Sequence, residues 1–427
     1  MEVVPVIIII YLLFILYDYF TRSNCRALIS MQGKSTLTPW RRIISATCEW
    51  RINDLWEKEM ARSGVKGALL VLAVVLCSGT AHAERYRYTA INVPGSVDTK
   101  AMFVNAARQV AGSYTDSDGK VRTFRYADGT TRKYYAPRPN RNENIVPTAI
   151  GPTGLVVGTY TADGNLLPFI LRPLADGVEG LAFPDSEGEH DITPTAVSNN
   201  EKEDVAGYFT VSDGTIRAFN TQAGFTQLTV QIVPGASATK TMAFAQDQIH
   251  GFEVPAGVFV TDQQHGYLAS STNTIDPPGS VNTSLTYLNN GVSPDYEYGG
   301  YAEGKGGKLF GWVRRGKTFT KYRYPGAVNT KVTRHLGEDV FGEYTDKAGK
   351  THGFQYRGGK YYQVQPKYAE VTLTGVSEDG SFTGYFLGDD GRYHGYLATC
   401  DAGPGQCVTG KSEAKPESAG QELADAR

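Results

Sequence analysis

The sequence predicts an all-β protein of tandem four-stranded repeats that close into a β-propeller. The first observation is a Gly-x-aromatic pattern whose glycines recur every 42–50 residues. A repeat of about 40–50 residues is what one four-stranded propeller blade takes. The pattern occurs at Gly112/Tyr114, Gly158/Tyr160, Gly207/Phe209, Gly257/Phe259, Gly299/Tyr301, Gly342/Tyr344 and Gly384/Phe386.

The second observation is another aromatic, which follows each glycine by 10–13 residues, with a polar turn between the two. Several of these turns contain Asp-Gly, a strong signal for a β-hairpin. In three copies the aromatic closes a His-Gly-aromatic sequence, and we expect the imidazoles of His265, His352 and His394 to bond a neighbouring strand or turn. The second aromatics are Phe124, Phe169, Phe219, Tyr267, Trp312, Phe354 and Tyr396.

The third observation is a strand that ends in Pro-Gly, first at residues 88–95, with echoes at Pro234, Pro278 and Pro325. Proline suits strand ends and edges because it cannot donate to a ladder. A further strand leads from each Pro-Gly into a polar turn, so each unit supplies four strands.

The order of these strands predicts how the repeat closes. The Pro-Gly strand at residues 88–95 precedes the first unit, whereas the last unit ends at Cys400 with no such strand after it. An N-terminal strand that completes the last blade would lock the ring and remove its exposed edges. We expect seven blades, with six or eight left open. An open β-solenoid or a pair of β-sandwiches is the competing fold.

Composition agrees with this class and narrows the partners. The 427 residues include 48 Gly, 26 Tyr and 18 Phe, which is typical of many short strands joined by tight turns. The 42 Lys and Arg nearly balance the 44 Asp and Glu. A dedicated nucleic-acid binder usually shows a basic excess, so we expect no nucleic-acid partner.

The first 83 residues carry two apolar stretches. One runs from Val3 to Tyr17 and extends to Phe20, which is short for a spanning helix of roughly 20 residues. The other lies in residues 60–83, where basic residues, an apolar run and Ala81-His82-Ala83 follow each other as in a secretory signal peptide. Residues 1–59 are then an extension upstream of a start at Met60, or else a membrane anchor. Both interpretations export residues 84–427.

The cysteines fit an exported chain. Beyond the signal peptide only Cys400 and Cys407 remain, on either side of a flexible turn. In an oxidising compartment we expect them to form a local disulfide, and two free thiols are the alternative. The repeat domain is predicted over residues 84–407. Residues 408–427 are polar, charged and without aromatics, so they are predicted to be a disordered tail.

The repeat unit resembles the bacterial extracellular HAF repeat family, whose units read Pro-Gly, then Asn-x-x-Gly-x-(Val/Ile)-x-Gly-x-Tyr-x-Asp, then His-Gly-Phe. The match covers most of residues 86–400 and is best at 88–126, 322–362 and 374–397. Four of the seven units lack the histidine, with Arg122 and Ile216 at aligned places, and Asn105 lacks the glycine of its turn. The resemblance implies secretion and a propeller-like repeat, and no activity.

One segment stands out as a candidate ligand-binding site. In residues 131–141, basic side chains alternate with tyrosines, and we single out Arg132, Tyr134, Tyr135 and Arg138. Tyrosines that stack with arginines suit anionic glycans or cell-envelope polymers. The alternative is a solvated loop between two blades.

The signals for a metal are weaker. The turn that starts at Asp116 and contains Asp118 could bind calcium, but it lacks the downstream bidentate glutamate of an EF-hand loop, so a hairpin turn is favoured. The three His-Gly-aromatic histidines occupy equivalent places in different blades, whereas zinc needs converging ligands. We therefore expect no cofactor, with calcium left open. We also expect no catalytic residues, because no Gly-x-Ser-x-Gly, phosphate-binding Gly-rich loop or His-Glu-x-x-His motif occurs.

These observations favour an exported, non-enzymatic repeat protein that serves as a binding or scaffold module. Its partner would be a protein or polysaccharide at the cell surface or in the periplasm. We expect no membrane contact by the mature domain unless residues 3–20 are an anchor. The alternatives are a purely structural surface protein and a secreted lyase or hydrolase with a site in the central channel.

Overall fold

The computed structural model describes residues 84–173, 175–181, 183, 188–198, 204–222, 227–246, 253–268, 274–289, 296–365, 367–410, 412–413 and 421–423. The segments predicted as an extension or anchor (1–59) and as a signal peptide (60–83) lie outside these ranges. Within the described residues every regular element is a β-strand. No helix in this part of the chain is long and apolar enough to cross a membrane.

Two short strands open the described chain, β1 (Glu84–Arg85) and β2 (Arg87–Ile91). Antiparallel groups of four strands then follow one another. Group 1 is β3 (Asp98–Val104), β4 (Val110–Thr115), β5 (Val121–Ala127) and β6 (Thr130–Tyr134). Group 2 is β7 (Ile145–Ile150), β8 (Val156–Ala162), β9 (Asn165–Leu171) and β10 (Glu179–Gly180).

The next two groups share one sheet. Group 3 is β11 (His190–Val197), β12 (Val205–Thr210), β13 (Ile216–Gln222) and β14 (Gln227–Gln231). Group 4 is β15 (Ala238–Gln246), β16 (Glu253–Val260), β17 (Gln264–Leu268) and β18 (Thr274–Ile275). A single parallel pair, Ile216 with Ala238, joins them into an eight-stranded sheet.

The remaining groups end the repeat. Group 5 is β19 (Ser280–Leu288), β20 (Glu297–Gly304), β21 (Leu309–Arg315) and β22 (Thr318–Tyr322). Group 6 is β23 (Asn329–Leu336), β24 (Asp339–Thr345), β25 (Thr351–Arg357) and β26 (Lys360–Gln363). Group 7 is β27 (Val371–Val376), β28 (Phe382–Leu387) and β29 (Tyr393–Thr399), with the N-terminal β2 as its fourth strand.

The chain is therefore all-β with repeated four-stranded antiparallel sheets. The sequence predicted that the strand ending in the first Pro-Gly would complete the last unit. In the structure β2 pairs along its whole length with β29, from Arg87 opposite Thr399 to Ile91 opposite Gly395. Residues near the two ends of the repeat are thus joined by a backbone ladder.

The glycine and the second aromatic of every unit are direct cross-strand neighbours on the second and third strands. In group 1, the ring of Phe124 lies over Gly112, where a Cβ atom would come within 2.6 Å of it. Glycine is needed because no side chain fits between this ring and the first strand. The pairs are Gly112/Phe124, Gly158/Phe169, Gly207/Phe219, Gly257/Tyr267, Gly300/Trp312, Gly342/Phe354 and Gly384/Tyr396.

In the fifth unit, the glycine opposite the second aromatic lies one residue later than the sequence predicted. Gly300, rather than Gly299, lies opposite Trp312. Successive residues of a strand point to opposite faces of the sheet, so Tyr301 lies on the opposite face from the one that the Gly299/Tyr301 assignment implied. Two consecutive glycines made the two registers indistinguishable in the sequence.

A β-bulge lies opposite each of these glycines, in the first strand of every group. Bulges bend a strand and increase its twist. Each bulge places one additional residue in the first strand, and in five of the groups this residue is a threonine. Three of these threonine hydroxyls donate a hydrogen bond to a backbone carbonyl of the next group. The bonds are Thr195 to Thr241 (2.5 Å), Thr286 to Val332 (2.9 Å) and Thr374 to Ala101 (2.9 Å).

A second kind of bond links successive groups at the start of the first strand. There an Asp or Asn side chain accepts a hydrogen bond from a backbone N–H at the start of the preceding group's third strand. The bonds run to Asn144 from Val121, to Asp191 from Leu166, to Asn282 from Gln264, to Asn329 from Leu309 and to Asp98 from Tyr393.

The first and last groups use these same contacts. Strand β3 packs against β27, β28 and β29, and two bonds described above, Asp98 with Tyr393 and Thr374 with Ala101, cross between groups 7 and 1. Group 7 therefore meets group 1 through the bonds that hold neighbouring groups elsewhere in the chain.

The C-terminal segment contains a disulfide and three short strands. Cys400 and Cys407 form a disulfide, after which β30 (Cys407–Val408) pairs with β1. Within the segment predicted to be disordered, β31 (Ser412–Glu413) adds to β26 and β32 (Gln421–Leu423) adds to β22. Outer strands offer unpaired backbone groups. These can accept an extended segment of any side-chain composition, so composition alone did not reveal the pairing.

We predict that Gly342→Ala destabilises the protein by about 2–4 kcal/mol. The new Cβ would lie 2.7 Å from Cζ of Phe354 and closer still to the carbonyl oxygen of Lys331, so backbone must move. Urea denaturation measures the loss. Gly177→Ala is the control, since its Cβ would meet nothing within 4 Å. Equal, small effects of both substitutions would contradict this packing.

Candidate binding site

The structure separates the four residues singled out in residues 131–141. Tyr134, the last residue of β6, is buried in a cluster with Ile145 and Phe169. Arg132 is exposed on β6, with its guanidinium 3.7 Å from the carboxylate of Asp176. Tyr134 is therefore a core residue and shares no surface with Arg132.

The other two lie in the loop between groups 1 and 2, where Arg138 is exposed and Tyr135 is half-buried. The ring centroid of Tyr135 lies 5.3 Å from the guanidinium carbon of Arg122 and 5.0 Å from that of Arg141. Both distances fit cation–π contacts. Arg122 also donates to the carbonyls of Arg141 and Glu143. The contacts of the Arg122 guanidinium therefore hold the loop between groups 1 and 2 against β5.

The acidic turn at Asp116 also holds backbone. One carboxylate oxygen accepts from the N–H groups of Asp118 and Lys120, at 3.0 and 2.9 Å, and the other accepts from Arg122 at 2.8 Å. Burial acts to raise the pKa of Asp116, but the bonds from Arg122 and Lys120 hold it below its ordinary value. Within the described residues no group of three or more His, Cys, Asp or Glu is placed to hold a metal ion.

The three His-Gly-aromatic histidines make comparable local contacts. His352 lies 3.0 Å from a carboxylate oxygen of Asp346, and His394 lies 3.0 Å from Asp390. These contacts are the largest cause that lowers the pKa of each aspartate. His265 lies 2.7 Å from Asp276. Each imidazole thus contacts an aspartate of its own group, in line with the role in strand and turn bonding that we expected.

A carboxylate–imidazole pair lies elsewhere, between groups 5 and 6. Nδ1 of His335 is 2.6 Å from Glu297, whose other oxygen accepts from Arg315 at 2.8 Å. Burial opposes ionisation of Glu297, but the contacts with His335 and Arg315 lower its pKa. The guanidinium of Arg315 also contacts the imidazole. Because His335 is buried and both of its nitrogens are occupied, this cluster does not present a general base to a substrate.

A more regular constellation lies on one edge of the groups. We call the edge that carries the turns between second and third strands, such as 116–120 and 346–350, the Asp-Gly edge. The Asp and Asn bonds described above place the start of each first strand beside the preceding group's Asp-Gly turn. First strands therefore begin at this edge.

Three lysines near this edge stack on tyrosines of the preceding group. Nζ of Lys240 lies 4.7 Å from the ring centroid of Tyr208, and Nζ of Lys331 lies 4.9 Å from that of Tyr301. Nζ of Lys100 lies 5.2 Å from Tyr385 and 4.5 Å from Tyr393, so this pair joins groups 7 and 1. All of these side chains are half-buried.

The pairs occupy equivalent register positions. Each lysine directly precedes the residue opposite an anchor glycine, as Lys331 precedes Val332. Each tyrosine directly follows such a glycine, as Tyr301 follows Gly300. We call Lys100/Tyr385, Lys240/Tyr208 and Lys331/Tyr301 the lysine–tyrosine pairs. Their ammonium groups are held in place by aromatic rings and are not screened as fully as exposed lysines.

Sequence reasoning missed these pairs, although a signal was present. Thr-Lys follows three of the Pro-Gly turns at the same spacing, at Thr99-Lys100, Thr239-Lys240 and Thr330-Lys331. The threonine hydroxyl accepts from the N–H of the residue before proline in each case, namely Val93, Val233 and Tyr324. This bond sets the start of the first strand and hence the position of the lysine.

Glu343 takes the position of these tyrosines in group 6. Its carboxylate accepts a hydrogen bond from the N–H of Leu373 at 3.0 Å. Burial raises the pKa of Glu343 to about 7, although Lys331 and the Leu373 N–H act in the opposite direction. A glutamate that changes charge near neutral pH thus lies beside one of the pairs.

Comparison with known proteins finds similar structures at low identity. No family model and no curated protein matches the chain, so the HAF resemblance stays a prediction. The BP39L lectin from Burkholderia pseudomallei is 12% identical, with a TM-score of 0.45 over 75% of this chain and 99% of the lectin. YCF48 from Cyanidioschyzon merolae is 10% identical, with a TM-score of 0.37 over 72% and 98%.

A puromycin-hydrolyzing peptidase from Mycobacterium tuberculosis is 11% identical, with a TM-score of 0.34 over 77% of this chain and 55% of the peptidase. A TM-score below 0.5 at such identities transfers neither a ligand nor an activity.

We predict that Glu343→Gln stabilises the protein by about 3 kcal/mol at pH 8 and has little effect at pH 4. The pKa of Glu343 is raised from 4.5 to about 7 on folding, so the folded state binds more protons than the unfolded state between these values. Stability is therefore lost as pH rises through this window. Urea denaturation at both pH values measures the change.

Glutamine keeps the acceptor for the Leu373 N–H, so the substitution isolates the charge. Glu338→Gln, at an exposed turn, is the matched control. It should leave the free energy of unfolding nearly unchanged at both pH values. A loss of stability at pH 8 in Glu343→Gln would contradict the raised pKa.

Proposed function

We propose that the four-stranded groups form a closed propeller of seven blades, with first strands innermost. Three observations support closure. Strand β2 completes group 7, β3 packs on all three other strands of that group, and the bonds Asp98–Tyr393 and Thr374–Ala101 repeat the bonds between successive groups. In a closed ring every group packs against a neighbour on both sides, so neither the first nor the last group is left with an exposed face.

We further propose that the protein is an exported, non-enzymatic module that binds an acidic polysaccharide at the Asp-Gly edge. The observation that carries this proposal is the set of three register-equivalent lysine–tyrosine pairs. In a closed propeller they would lie around the mouth of the central channel, on one face. Export rests on the predicted signal peptide, and the cell surface or periplasm is the proposed location.

The chemistry of the pairs suits a polyanion with spaced charges. A lysine ammonium over a tyrosine ring keeps its charge while losing side-chain freedom, which reduces the entropic cost of binding. Sulfate or carboxylate groups would contact the ammonium groups, and sugar rings would pack on the exposed parts of the tyrosines. A linear polymer could reach several pairs at once and gain avidity.

The loop around Tyr135 could extend this surface. Arg138 and Arg141 are exposed in the loop that precedes the first strand of group 2, which also begins at the Asp-Gly edge. Their guanidinium groups would bind further anionic groups of the polymer. The bulge residues of the first strands are Met and Thr rather than His or carboxylates, which favours binding over a secreted lyase or hydrolase.

We predict that the double variant Lys240→Gln/Lys331→Gln weakens binding to dextran sulfate by about tenfold or more, since each lost contact contributes on the order of 1 kcal/mol. Calorimetric titration at low salt measures the affinity. The double variant Lys317→Gln/Lys360→Gln is the control because it carries the same change in charge at two exposed positions where a third strand connects to a fourth.

Neutral dextran should bind neither protein. An equal loss of affinity in both double variants would show that binding follows net charge rather than the lysine–tyrosine pairs. Failure of the unsubstituted protein to bind any acidic polysaccharide would overturn the proposed function.

We predict that deletion of residues 84–91 from the full chain lowers the midpoint of urea denaturation and causes self-association. The deletion removes β2 and exposes the edge of β29, which can then pair with another copy. Light scattering and denaturation curves measure both effects. Deletion of residues 424–427, which removes none of the described strands, is the control and should change neither measurement. An unchanged, monomeric 84–91 deletion would contradict closure through β2.

A further inference from the structure

Glu343 breaks the pattern of the lysine–tyrosine pairs in one place. The residue after the anchor glycine is Tyr in groups 3, 5 and 7 and Glu343 in group 6. Lys331 lies directly opposite Glu343 on the neighbouring strand β23. Residues opposite each other in an antiparallel pair have Cβ atoms about 4.5–5.5 Å apart. Lys331 is thus placed between the ring of Tyr301 and a carboxyl group.

Polar and ionisable side chains or backbone atoms from four neighbouring strands surround Glu343. From β27 of group 7, the N–H of Leu373 donates to its carboxylate at 3.0 Å. Tyr385 on β28 and Tyr396 on β29 lie near enough that its charge acts on their phenols. Lys331 on β23 is the cation that acts on it. Both phenols stay neutral near pH 7, because burial raises the pKa of each tyrosine.

The charge of Lys331 as seen by a ligand therefore depends on Glu343. When the carboxyl is protonated, the Lys331 ammonium presents a full positive charge at the Asp-Gly edge. When it is ionised, the two charges largely cancel and the pair no longer attracts an anion. The change falls near neutral pH because burial raises the pKa of Glu343 to about 7.

We propose that Glu343 makes polyanion binding pH-dependent, so that the protein holds an acidic polysaccharide more tightly below neutral pH and releases it above. This inference rests on the proposed function of the lysine–tyrosine pairs. Lys100 and Lys240 lack such a neighbour, since Ser113 and Val258 lie opposite them. The carboxyl group thus lies directly opposite only one of the three lysines, and part of the affinity remains at high pH.

The test is the affinity of the full chain for dextran sulfate between pH 5.5 and 8.5, at constant ionic strength. The sulfate groups stay ionised throughout this range, so any change comes from the protein. We expect binding about fivefold tighter at pH 6 than at pH 8.5. In Glu343→Gln we expect the affinity at pH 8.5 to rise to nearly its value at pH 6. All other ionisable groups are the same in both proteins, so the difference between them isolates Glu343.

Glu338→Gln is the matched control and should follow the unsubstituted protein at every pH. The urea denaturation of Glu343→Gln at the same pH values shows that the variant is folded. If Glu343→Gln keeps the full pH dependence, the inference about Glu343 is wrong while the proposed function stands. If the unsubstituted protein binds no dextran sulfate at any pH, the proposed function itself fails, and the inference fails with it.

Discussion

The close approach of the first strand to the second in each group is the constraint on which the rest of the structure depends. In group 6 the carbonyl oxygen of Lys331 occupies the place where a Cβ on Gly342 would lie, and the ring of Phe354 closes the other side. A carbonyl oxygen of the first strand takes this place at the anchor glycine of every group, so glycine is required there. The bulge that accompanies it turns a threonine hydroxyl toward the next group, where Thr195, Thr286 and Thr374 donate to carbonyls. The bulge opposite the anchor glycine therefore affects both the packing within one group and the hydrogen bonds to the next.

The same geometry places the candidate site. A lysine before the bulge and a tyrosine after the anchor glycine meet only when one group is stacked on the next, as Lys240 meets Tyr208. The turn that starts the first strand fixes the lysine, because Thr239 accepts a hydrogen bond from the N–H of Val233. Three repeats kept both partners of the pair. In other groups, residues such as Val146 or Ser284 take the place of the lysine. The repeated backbone geometry is therefore common to all groups, whereas the lysine is present in only some of them.

Much of the fold was predictable from the sequence because its determinants are local. The anchor glycines, the second aromatics and the Asp-Gly turns lie within one unit, and all but one were assigned correctly. The exception, Gly299 instead of Gly300, arose because adjacent glycines leave the register open. The site was less predictable. Lys331 and Tyr301 are 30 residues apart in different units, and their contact depends on how groups stack. Tyr134 shows the opposite case, since a basic surrounding sequence suggested a surface, whereas the ring packs in the core with Ile145 and Phe169.

The central claim is that an acidic polysaccharide binds across the lysine–tyrosine pairs at the Asp-Gly edge. The most direct measurement is a crystal structure of the protein with a sulfated oligosaccharide. We expect sulfate groups within contact distance of Nζ of at least two of Lys100, Lys240 and Lys331. A ligand bound only to the opposite edge, near Glu297 and His335, or only along the outer strands, would contradict it.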